Sequence, residues 1–473
     1  MPRLHLSGAR LIPMSDPVRI AIVGSGPAAF YAAEHLLKRP GVEVDMLERL
    51  PTPYGLVRGG VAPDHPKIKS VIAIYEKIAA NPGFRFFGNV EYGHDVTRAD
   101  LERHFHAALY ATGAQTDRSL GVPGEDLKGS HSATEFVGWY NGHPDFQDRV
   151  FDLNAESVGI IGMGNVAVDV ARILCLTPEE MRETDMADPA IEALSRSRVR
   201  DVYLMGRRGV VQAAFTTNEV RELGEMKGAD VIVRPEEAEV DEASAEEFAS
   251  GRASLKSKVE IVQGFARRTP EGKPKRLHIR FCLSPLAVLD DGQGKVAGLR
   301  LAQNRLVRGA SGAVSAQPTG EEETLPIQLL FRSVGYRGVP LAELPFDTKA
   351  CVIPHLKGRV CEAGTEQQVR GHYVTGWIKR GPSGVIGNNK ADSVETANTL
   401  LADLDQGGLL QPAEPDREAF AAMLRGRQSR LVTFPDWQRL DRLEVERGRS
   451  QDRPRVKFLT VEEMLAELER VTP

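Results

Sequence analysis

Cysteine is scarce in this 473-residue sequence, and its scarcity excludes two kinds of site. Only Cys175, Cys282, Cys351 and Cys361 occur. None form a C-x-x-C pair, and none have the spacing of a zinc or iron–sulfur site, so no metal site is predicted. A disulfide reductase of the usual form, which needs paired cysteines, is excluded as well. So few cysteines fit a reducing, cytoplasmic setting.

Strong charge and long apolar runs are also missing. The net charge of -5 argues against a general nucleic-acid-binding protein, although a local basic docking face stays compatible with it. No apolar run is long enough to span a bilayer, so no membrane segment is predicted. Residues 1–16 lack the apolar core of a secretory signal. They are either a short leader or the product of an upstream start site.

A strand, a glycine-rich turn and a helix form the first motif. Residues 18–23 (VRIAIV) read as a buried parallel strand, followed by the pattern G-x-G-x-x-A, with Gly24, Gly26 and Ala29. Such glycines let a pyrophosphate approach the N-terminus of the helix. The next strand, VEVDML, leads to Glu48, an acid placed to accept hydrogen bonds from a ribose diol. This combination predicts a dinucleotide site with the adenosine ribose on Glu48.

The same pattern returns with the opposite charge at its end. Residues 157–161 (SVGII) lead into a second turn that contains Gly162 and Gly164. The following strand, VRDVYLM, ends in Arg207 and Arg208 instead of an acid. A guanidinium pair can clamp a 2′-phosphate, so this turn is predicted to prefer NADP to NAD. The alternative, that both arginines are solvated surface charges, stays open.

Two further apolar strands run into a glycine. They are residues 107–114 (AALYATGA) and 328–335 (QLLFRSVG), and they indicate where the chain passes from one dinucleotide-binding domain to the other. The predicted fold is α/β, with two Rossmann-like dinucleotide-binding domains and the NADP domain inserted into the FAD domain. The predicted parts are a leader (1–16), the first part of the FAD domain (17–115), the NADP domain (116–333) and the second part of the FAD domain with C-terminal helices (334–473).

Three long segments carry a family resemblance. Residues 51–69 (PTPYGLVRGGVAPDHPKIK), 206–223 (GRRGVVQAAFTTNEVREL) and 376–387 (GWIKRGPSGVIG) resemble the adrenodoxin reductase family. More narrowly, they are similar to its bacterial branch, the NADPH-ferredoxin reductases of the actinobacterial type. The resemblance runs from about residue 18 to the C-terminal region. It implies hydride transfer from NADPH to FAD and single-electron transfer to an iron–sulfur ferredoxin or a flavodoxin.

The resemblance also implies roles for individual residues. The implied FAD contacts, beyond the glycine turn, are Ala28, Glu48, Leu56, Val90, Trp377, Gly384, Val385 and Ile386. The implied NADP contacts are Arg118, Asn165, Val166, Ala167, Arg207, Arg208, Glu219 and Gly384. The residues that match the family's flavin–nicotinamide contact are His65, Asp169 and Glu222.

Each of these last residues also has a structural interpretation. His65 lies in a rigid P-D-H-P turn and could simply hydrogen-bond Asp64. Glu219 and Glu222 are three apart on a predicted helix and so share a face, which could also be a solvent face. Asp169 could be an ordinary acid in the first part of its helix.

Other functions remain compatible with two nucleotide-binding turns. A flavin-dependent monooxygenase would share both turns, and a subunit of a larger electron-transfer complex would share the fold. A basic run in the NADP domain (residues 267–280) could steer an acidic ferredoxin, or it could be an ordinary solvated face. The region from Asp416 onward is predicted to pack against the FAD domain, with a helix that begins at a Thr460–Glu463 capping box.

Overall fold

The computed structural model describes residues 17–384 and 386–470. Contacts within the chain divide it into two compact units. The first unit contains residues 17–55, 71–113 and 338–437, and the second contains residues 56–70, 114–337 and 438–470. This division differs from the predicted boundaries at residues 56–70 and 438–470, which belong to the second unit. The predicted leader and Val385 lie outside the described residues.

An eight-stranded sheet forms the centre of the first unit. With strands numbered along the whole chain, its members are β1 (Val18–Val23), β2 (Val42–Glu48), β3 (Phe84–Gly88), β4 (Ala107–Tyr110), β16 (His355–Leu356), β17 (Arg359–Cys361), β18 (Gln368–Val374) and β19 (Val432–Thr433). The order is β16-β17-β18-β4-β1-β2-β3-β19, with β18, β4, β1, β2 and β3 parallel. All six residues of β1 are buried, and its one charge, Arg19, pairs with Asp45 on β2.

Helices flank this sheet. They are α1 (Pro27–Leu36), α4 (Ile72–Ala79), α5 (Arg98–His104), α13 (Trp377–Arg380), α14 (Asn388–Asp405) and α15 (Arg417–Arg427). The apolar stretch that follows the first glycine turn is buried in α1 from Ala28 to Ala33. The Ser393 hydroxyl on α14 donates to the Ala28 carbonyl over 2.9 Å, which fixes α14 against the start of α1.

The second unit contains a six-stranded parallel sheet and smaller antiparallel sheets. Its strands are β5 (Thr116–Asp117), β6 (Ser130–Ser132), β7 (Ser157–Ile161), β8 (Asp201–Met205), β9 (Ala229–Val233), β10 (Lys275–Arg280), β11 (Leu283–Asp290), β12 (Val296–Arg308), β13 (Val314–Leu325), β14 (Leu329–Arg332) and β15 (Tyr336–Arg337). The parallel sheet has the order β6-β14-β7-β8-β10-β9, and a separate sheet has the order β11-β12-β13. Each unit therefore contains parallel strands joined through helices, and the predicted α/β class is confirmed.

The helices of the second unit include two short ones from the segment 56–70. They are α2 (Leu56–Gly59), α3 (Pro66–Lys69), α6 (Ala133–Tyr140), α7 (Asn165–Cys175), α8 (Pro178–Arg182), α9 (Asp188–Ser195), α10 (Thr217–Leu223), α11 (Ala245–Ser250), α12 (Ala253–Ala266) and α17 (Val461–Glu469), with α16 (Phe434–Arg449) beginning in the first unit. Helices α8 and α9 account for the long connection between α7 and β8. None of the described helices is long and apolar enough to cross a membrane.

Buried ion pairs hold the segments 56–70 and 438–470 within the second unit. Arg58 pairs with Glu444 at 2.5 Å, and Lys69 and Lys457 both pair with Asp185, at 2.7 and 3.3 Å. Burial alone would raise the pKa of Glu444, but the charge of Arg58 outweighs it and the pKa is lowered. The C-terminal residues therefore pack with the second unit rather than only with the FAD domain. The Thr460–Glu463 capping box at the start of α17 is confirmed.

Candidate functional site

The first glycine turn joins β1 to α1 and leaves the start of the helix accessible. Gly24 has φ 99°, and a Cβ added there would lie 2.7 Å from the Ala111 carbonyl oxygen, so this position requires glycine. A Cβ added at Gly26 would meet no described atom within 4 Å. Gly26 is also the N-cap of α1 and provides no side-chain cap. The first backbone N–H groups of α1 are therefore available to an anion such as a pyrophosphate.

Glu48 lies at the end of β2 with its carboxylate turned toward this glycine turn. One oxygen accepts hydrogen bonds from Ser25 N at 3.1 Å and from Ser25 Oγ at 2.6 Å. The other accepts from Leu50 N at 3.1 Å. These bonds fix the acid beside the turn, which is the arrangement a ribose-binding carboxylate needs. Oε1, which accepts only the bond from Leu50 N, has a second lone pair and so keeps capacity for a ligand.

The structure brings three other predicted FAD contacts to the same region of the first unit. Val90 is buried, and its N–H donates to the Glu48 carbonyl at 2.9 Å. A Cβ added at Gly376 would lie 2.8 Å from the Cβ of Ala28, so the start of α13 passes close to the start of α1. Trp377 follows directly as the first residue of α13.

The remaining predicted FAD contacts are less closely placed. Gly384 is exposed with φ 78°, and Ile386 follows it just before α14. Leu56 belongs to the second unit and is 36% exposed. The roles of these three residues stay predictions.

Sequence reasoning missed Asp392, which organises the turn before α13. Its carboxylate accepts from Gly376 N at 2.5 Å and from Thr375 Oγ1 at 3.0 Å, and it pairs with Lys379 at 2.9 Å. The pairing depends on the fold of α14 against β18, so no local motif could reveal it. Asp392 thereby holds the Gly376–Trp377 backbone in a fixed position.

The second glycine turn repeats this geometry in the second unit. Gly162 has φ 140°, and a Cβ there would collide with the Ser333 carbonyl oxygen. A Cβ at Gly164 would meet no described atom within 4 Å, and Gly164 caps α7 without a side-chain bond. The Asn165 side chain accepts from Thr216 N at 2.8 Å, while Ala167 is buried. The N-terminus of α7 is therefore also open to a phosphate.

The arginines that follow β8 are free of internal carboxylates. Arg207 is exposed, Arg208 is half-buried, and in the described part of the chain neither guanidinium forms an ion pair. Arg118, another predicted NADP contact, is also exposed, and its backbone N–H donates to the Gly335 carbonyl at 2.9 Å. Arginines without an internal partner at the end of this strand can bind an external phosphate.

A buried charge cluster gathers the three residues predicted to lie at the flavin–nicotinamide contact. His65 Nε2 contacts Glu222 at 2.7 Å and lies 3.9 Å from Glu219. The Arg172 guanidinium, on α7, contacts Asp169 at 2.8 Å. It also contacts Asp64 at 2.6 Å, Glu219 at 3.4 Å and Glu222 at 3.6 Å. One arginine therefore contacts four carboxylates, and His65 contacts one of them, Glu222.

This arrangement decides between the alternative interpretations of these residues. Asp64 pairs with Arg172, and His65 contacts Glu222, so the simple His65–Asp64 turn is wrong. Asp169 and Glu219 are buried, so neither is a surface acid, while the side chain of Glu222 is 42% exposed. Sequence reasoning missed Arg172. The available signal was an arginine three residues after Asp169 on an otherwise apolar helix face.

Burial and crowding of carboxylates shift the pKa values in the cluster. Burial, and then repulsion from Asp169, raises the pKa of Glu219 to about 7. Burial also raises the pKa of Asp169, although Arg172 opposes the shift. Burial would raise the pKa of Asp64 too, but attraction to Arg172 wins and the pKa is lowered. The cluster can therefore hold a proton on Glu219 near neutral pH.

His65, Asp169 and Glu219 offer ligand atoms within 4.8 Å of one another, a spacing that could suit a metal ion. Arg172 already supplies a cation there, since it hydrogen-bonds both carboxylates. We therefore assign this group to the charge cluster and not to a metal site.

The predicted basic run is mostly engaged within the second unit. Arg280 is buried between Glu237 and Glu323, and Arg276 makes a two-pronged pair with Asp201. Other members donate to backbone carbonyls: Arg268 to Gly224, Lys273 to Met226 and Lys275 to Leu174. Most of this run therefore supports the fold instead of forming a free docking face.

Comparisons with known proteins agree with this geometry. The family model of the pyridine nucleotide-disulphide oxidoreductases matches residues 18–261. NADPH-ferredoxin reductase FprA of Mycobacterium tuberculosis is 47% identical over 95% of this chain and 98% of that protein. Human mitochondrial NADPH:adrenodoxin oxidoreductase is 42% identical over 94% of this chain and 91% of that protein. The structure of Mycobacterium tuberculosis FprA in complex with NADPH superposes with a TM-score of 0.90 at 46% identity, covering 96% of this chain and 100% of that one.

Proposed function

Because this chain belongs to the adrenodoxin reductase family, within the pyridine nucleotide-disulphide oxidoreductases, we propose that it is an NADPH-ferredoxin reductase that uses FAD. The observation that carries the proposal is the pair Arg207–Arg208 at the end of β8, the strand that follows the second of two open glycine turns. Neither arginine pairs with a carboxylate of the described residues. The full-length similarity to NADPH-dependent reductases supports the same assignment. When bound, FAD accepts two electrons as hydride from NADPH and releases them singly to an iron–sulfur ferredoxin.

The first unit supplies residues that fit FAD. The start of α1, open above Gly26, would bind the pyrophosphate, and Glu48 would accept the ribose hydroxyl groups. Ala28, Val90 and Trp377 surround the same turn, and Asp392 would keep the Trp377 backbone in place. With Gly384 and Ile386 they complete the proposed FAD site of this unit, and Leu56 is proposed as a contact from the second.

The second unit supplies residues that fit NADP. The start of α7, above Gly164, would bind its pyrophosphate, with Asn165, Val166 and Ala167 at the turn. Arg207 and Arg208 would bind the 2′-phosphate. Arg118, Glu219 and Gly384 are proposed as further contacts on the basis of the resemblance. The predicted FAD and NADP domains belong to the same proposal, with residues 56–70 and 438–470 counted in the second unit. A cytoplasmic setting is proposed as well, and the scarcity of cysteine supports it.

We assign the charge cluster a role in positioning the nicotinamide for hydride transfer. Arg172 fixes Asp169 and Glu222, and Glu222 fixes the ring of His65. Hydride transfer needs no general base, so these residues would orient and polarise instead of abstracting a proton. Replacing His65 with alanine is expected to slow flavin reduction by NADPH without abolishing it. An unchanged reduction rate would remove His65 from the mechanism.

The proposal is tested by adding candidate ferredoxins and a flavodoxin to the FAD-loaded enzyme with NADPH. We expect NADPH oxidation that depends on the acceptor, with cytochrome c as the final electron sink. Rapid NADPH oxidation with oxygenation of an organic substrate would identify a monooxygenase instead. Activity with artificial acceptors, but with none of the ferredoxins or the flavodoxin, would contradict the acceptor class.

A further inference from the structure

A cavity of about 440 Å³ in the second unit lies beside the proposed NADP turn. Arg208, at the end of the parallel sheet, lines one part of it. Arg308, the last residue of β12 in the separate antiparallel sheet, lines another part. Residues 312 and 313 of the following hairpin turn and Val314, the first residue of β13, lie beside it in the same lining. Two guanidinium groups from two different sheets therefore line one cavity.

Arg308 has hydrogen-bonding capacity that its neighbours do not use. Its Nε donates to the Ala243 carbonyl at 3.1 Å, and its Nη1 contacts Glu246 at 2.9 Å. Its Nη2 is buried, and no described residue accepts from it. A buried donor left without an acceptor destabilises the fold, and a bound ligand is one way in which such a donor is satisfied.

The carboxylate that contacts Arg308, that of Glu246, is largely exposed to solvent. The side chain of Glu246 is 79% exposed, whereas that of Arg308 is 27% exposed. An exposed ion pair of this kind contributes little stability, so a phosphate dianion can displace the carboxylate at little cost. With Glu246 turned into solvent, the Arg308 fork would offer two parallel N–H donors, the geometry that suits a phosphate.

We propose that Arg308 is a third specificity-determining residue for the cofactor, binding the 2′-phosphate of NADP together with Arg208 while Glu246 competes for the same guanidinium. The proposal rests on the proposed NADP preference of the second turn. It adds a residue that lies outside the strand-turn-helix pattern and has no motif of its own. Because Arg308 lies at the end of β12, the antiparallel sheet would then contribute a residue to cofactor selection.

The test compares Arg308→Met and Glu246→Gln with the wild type, all loaded with FAD. Arg300→Met is the matched control, because Arg300 lies on the same strand, is 49% exposed and is 3.8 Å from its partner Glu322. Calorimetry measures the Kd of 2′,5′-ADP (adenosine 2′,5′-bisphosphate) and of 5′-AMP, which differ only in the 2′-phosphate. Steady-state kinetics measures KM for NADPH and NADH.

Loss of one charge-assisted fork should weaken 2′,5′-ADP binding and raise KM for NADPH by roughly tenfold in Arg308→Met. Binding of 5′-AMP and KM for NADH should change less than about twofold, because neither ligand carries the 2′-phosphate. Glu246→Gln should bind 2′,5′-ADP roughly twofold to fivefold more tightly, since it removes the competing anion. Arg300→Met should behave like the wild type.

Equal weakening of 2′,5′-ADP and 5′-AMP binding in Arg308→Met, or no weakening of either, would overturn the proposal. If Arg308→Met does not fold, Glu246→Gln decides alone, and unchanged 2′,5′-ADP affinity would overturn the proposal. These measurements need no ferredoxin. A wild type that binds 2′,5′-ADP selectively but reduces no ferredoxin would contradict the proposed function while leaving the Arg308 assignment intact.

Discussion

The two glycine turns have the same backbone design and opposite strand-end charges. In each, one glycine with positive φ passes close to a backbone carbonyl, and a second leaves space above an uncapped helix N-terminus. At the first turn the following strand ends in Glu48, whose carboxylate accepts hydrogen bonds from Ser25 and Leu50. Arg207 and Arg208 close the second, with no ion pair in the described part of the chain. We propose that the backbone of each turn binds the pyrophosphate, which all dinucleotides share, and that the residues at the strand end select the dinucleotide.

The helices that follow the two turns differ as well. Helix α1 buries Ala28 to Ala33 and carries no acid in its first turn. Helix α7 buries both Asp169 and Arg172, which join the cluster around His65. The buried residues of α1 include no charged side chain, so this helix brings no buried charge beneath the first turn. Helix α7, in contrast, begins at the second turn and contributes Asp169 and Arg172 to the charge cluster that contains His65.

The largest effect is expected when the strand-end charge of the second turn is removed. Replacing Arg207 and Arg208 with alanine deletes two charge-assisted contacts, each worth about 1.5–3 kcal/mol. The NADPH-to-NADH ratio of kcat/KM should fall by roughly 100-fold or more. Arg198→Ala, an exposed arginine shortly before the same strand, is the control and should leave the ratio unchanged.

A second large effect, on the stability of the protein, is expected when Arg172 of helix α7 is replaced. Arg172→Met leaves four carboxylates around His65 without their cation, and breaking a buried ion pair costs about 3–5 kcal/mol. Urea unfolding of the FAD-loaded protein measures the loss. Arg172→Lys should recover part of the stability, and Arg182→Met, at an exposed site, should have little effect. Full stability in Arg172→Met would show that the cluster does not depend on this arginine.

A smaller effect is expected at the acid of the first turn. Glu48→Gln keeps the shape of the side chain but weakens its acceptance of ribose hydrogen bonds. FAD affinity should fall by roughly tenfold, because hydrogen bonds to a charged group contribute about 1.5–3 kcal/mol, of which the amide retains part. Flavin fluorescence on dilution measures release. Glu43→Gln on the same strand is the control. Equal FAD release from both variants would show that Glu48 has no specific role in FAD binding.

The smallest effect concerns the pH dependence of the cluster. Burial raises the pKa of Glu219 to about 7 from an ordinary value of 4.5, so the native state binds more protons than the unfolded state between these values. Stability should therefore decline as pH rises from about 4.5 to about 7. Glu219→Gln should remove this part of the decline, and the exposed control Glu225→Gln should not. Parallel curves for wild type and Glu219→Gln in urea unfolding would contradict the assignment.

Local pattern was enough to predict both glycine turns, Glu48 and the arginine pair, because each depends on residues that are close in sequence. Contacts between distant segments could not be read in this way. Arg172 meets Asp64 across 108 positions, and Lys457 meets Asp185 only because the C-terminal segment returns to the second unit. The basic run shows the same limit, since Arg280 and Arg276 looked exposed in sequence but pair with acids on neighbouring strands and turns.

The central claim, that opposite strand-end charges assign FAD to the first turn and NADP to the second, is tested most directly by one comparison. The wild-type enzyme, loaded with FAD, is assayed for kcat/KM with NADPH and with NADH under identical ferredoxin and salt conditions. We predict a preference for NADPH of roughly 100-fold or more, the value expected from two charge-assisted contacts to a phosphate. Equal use of both cofactors, or a preference for NADH, would contradict the account.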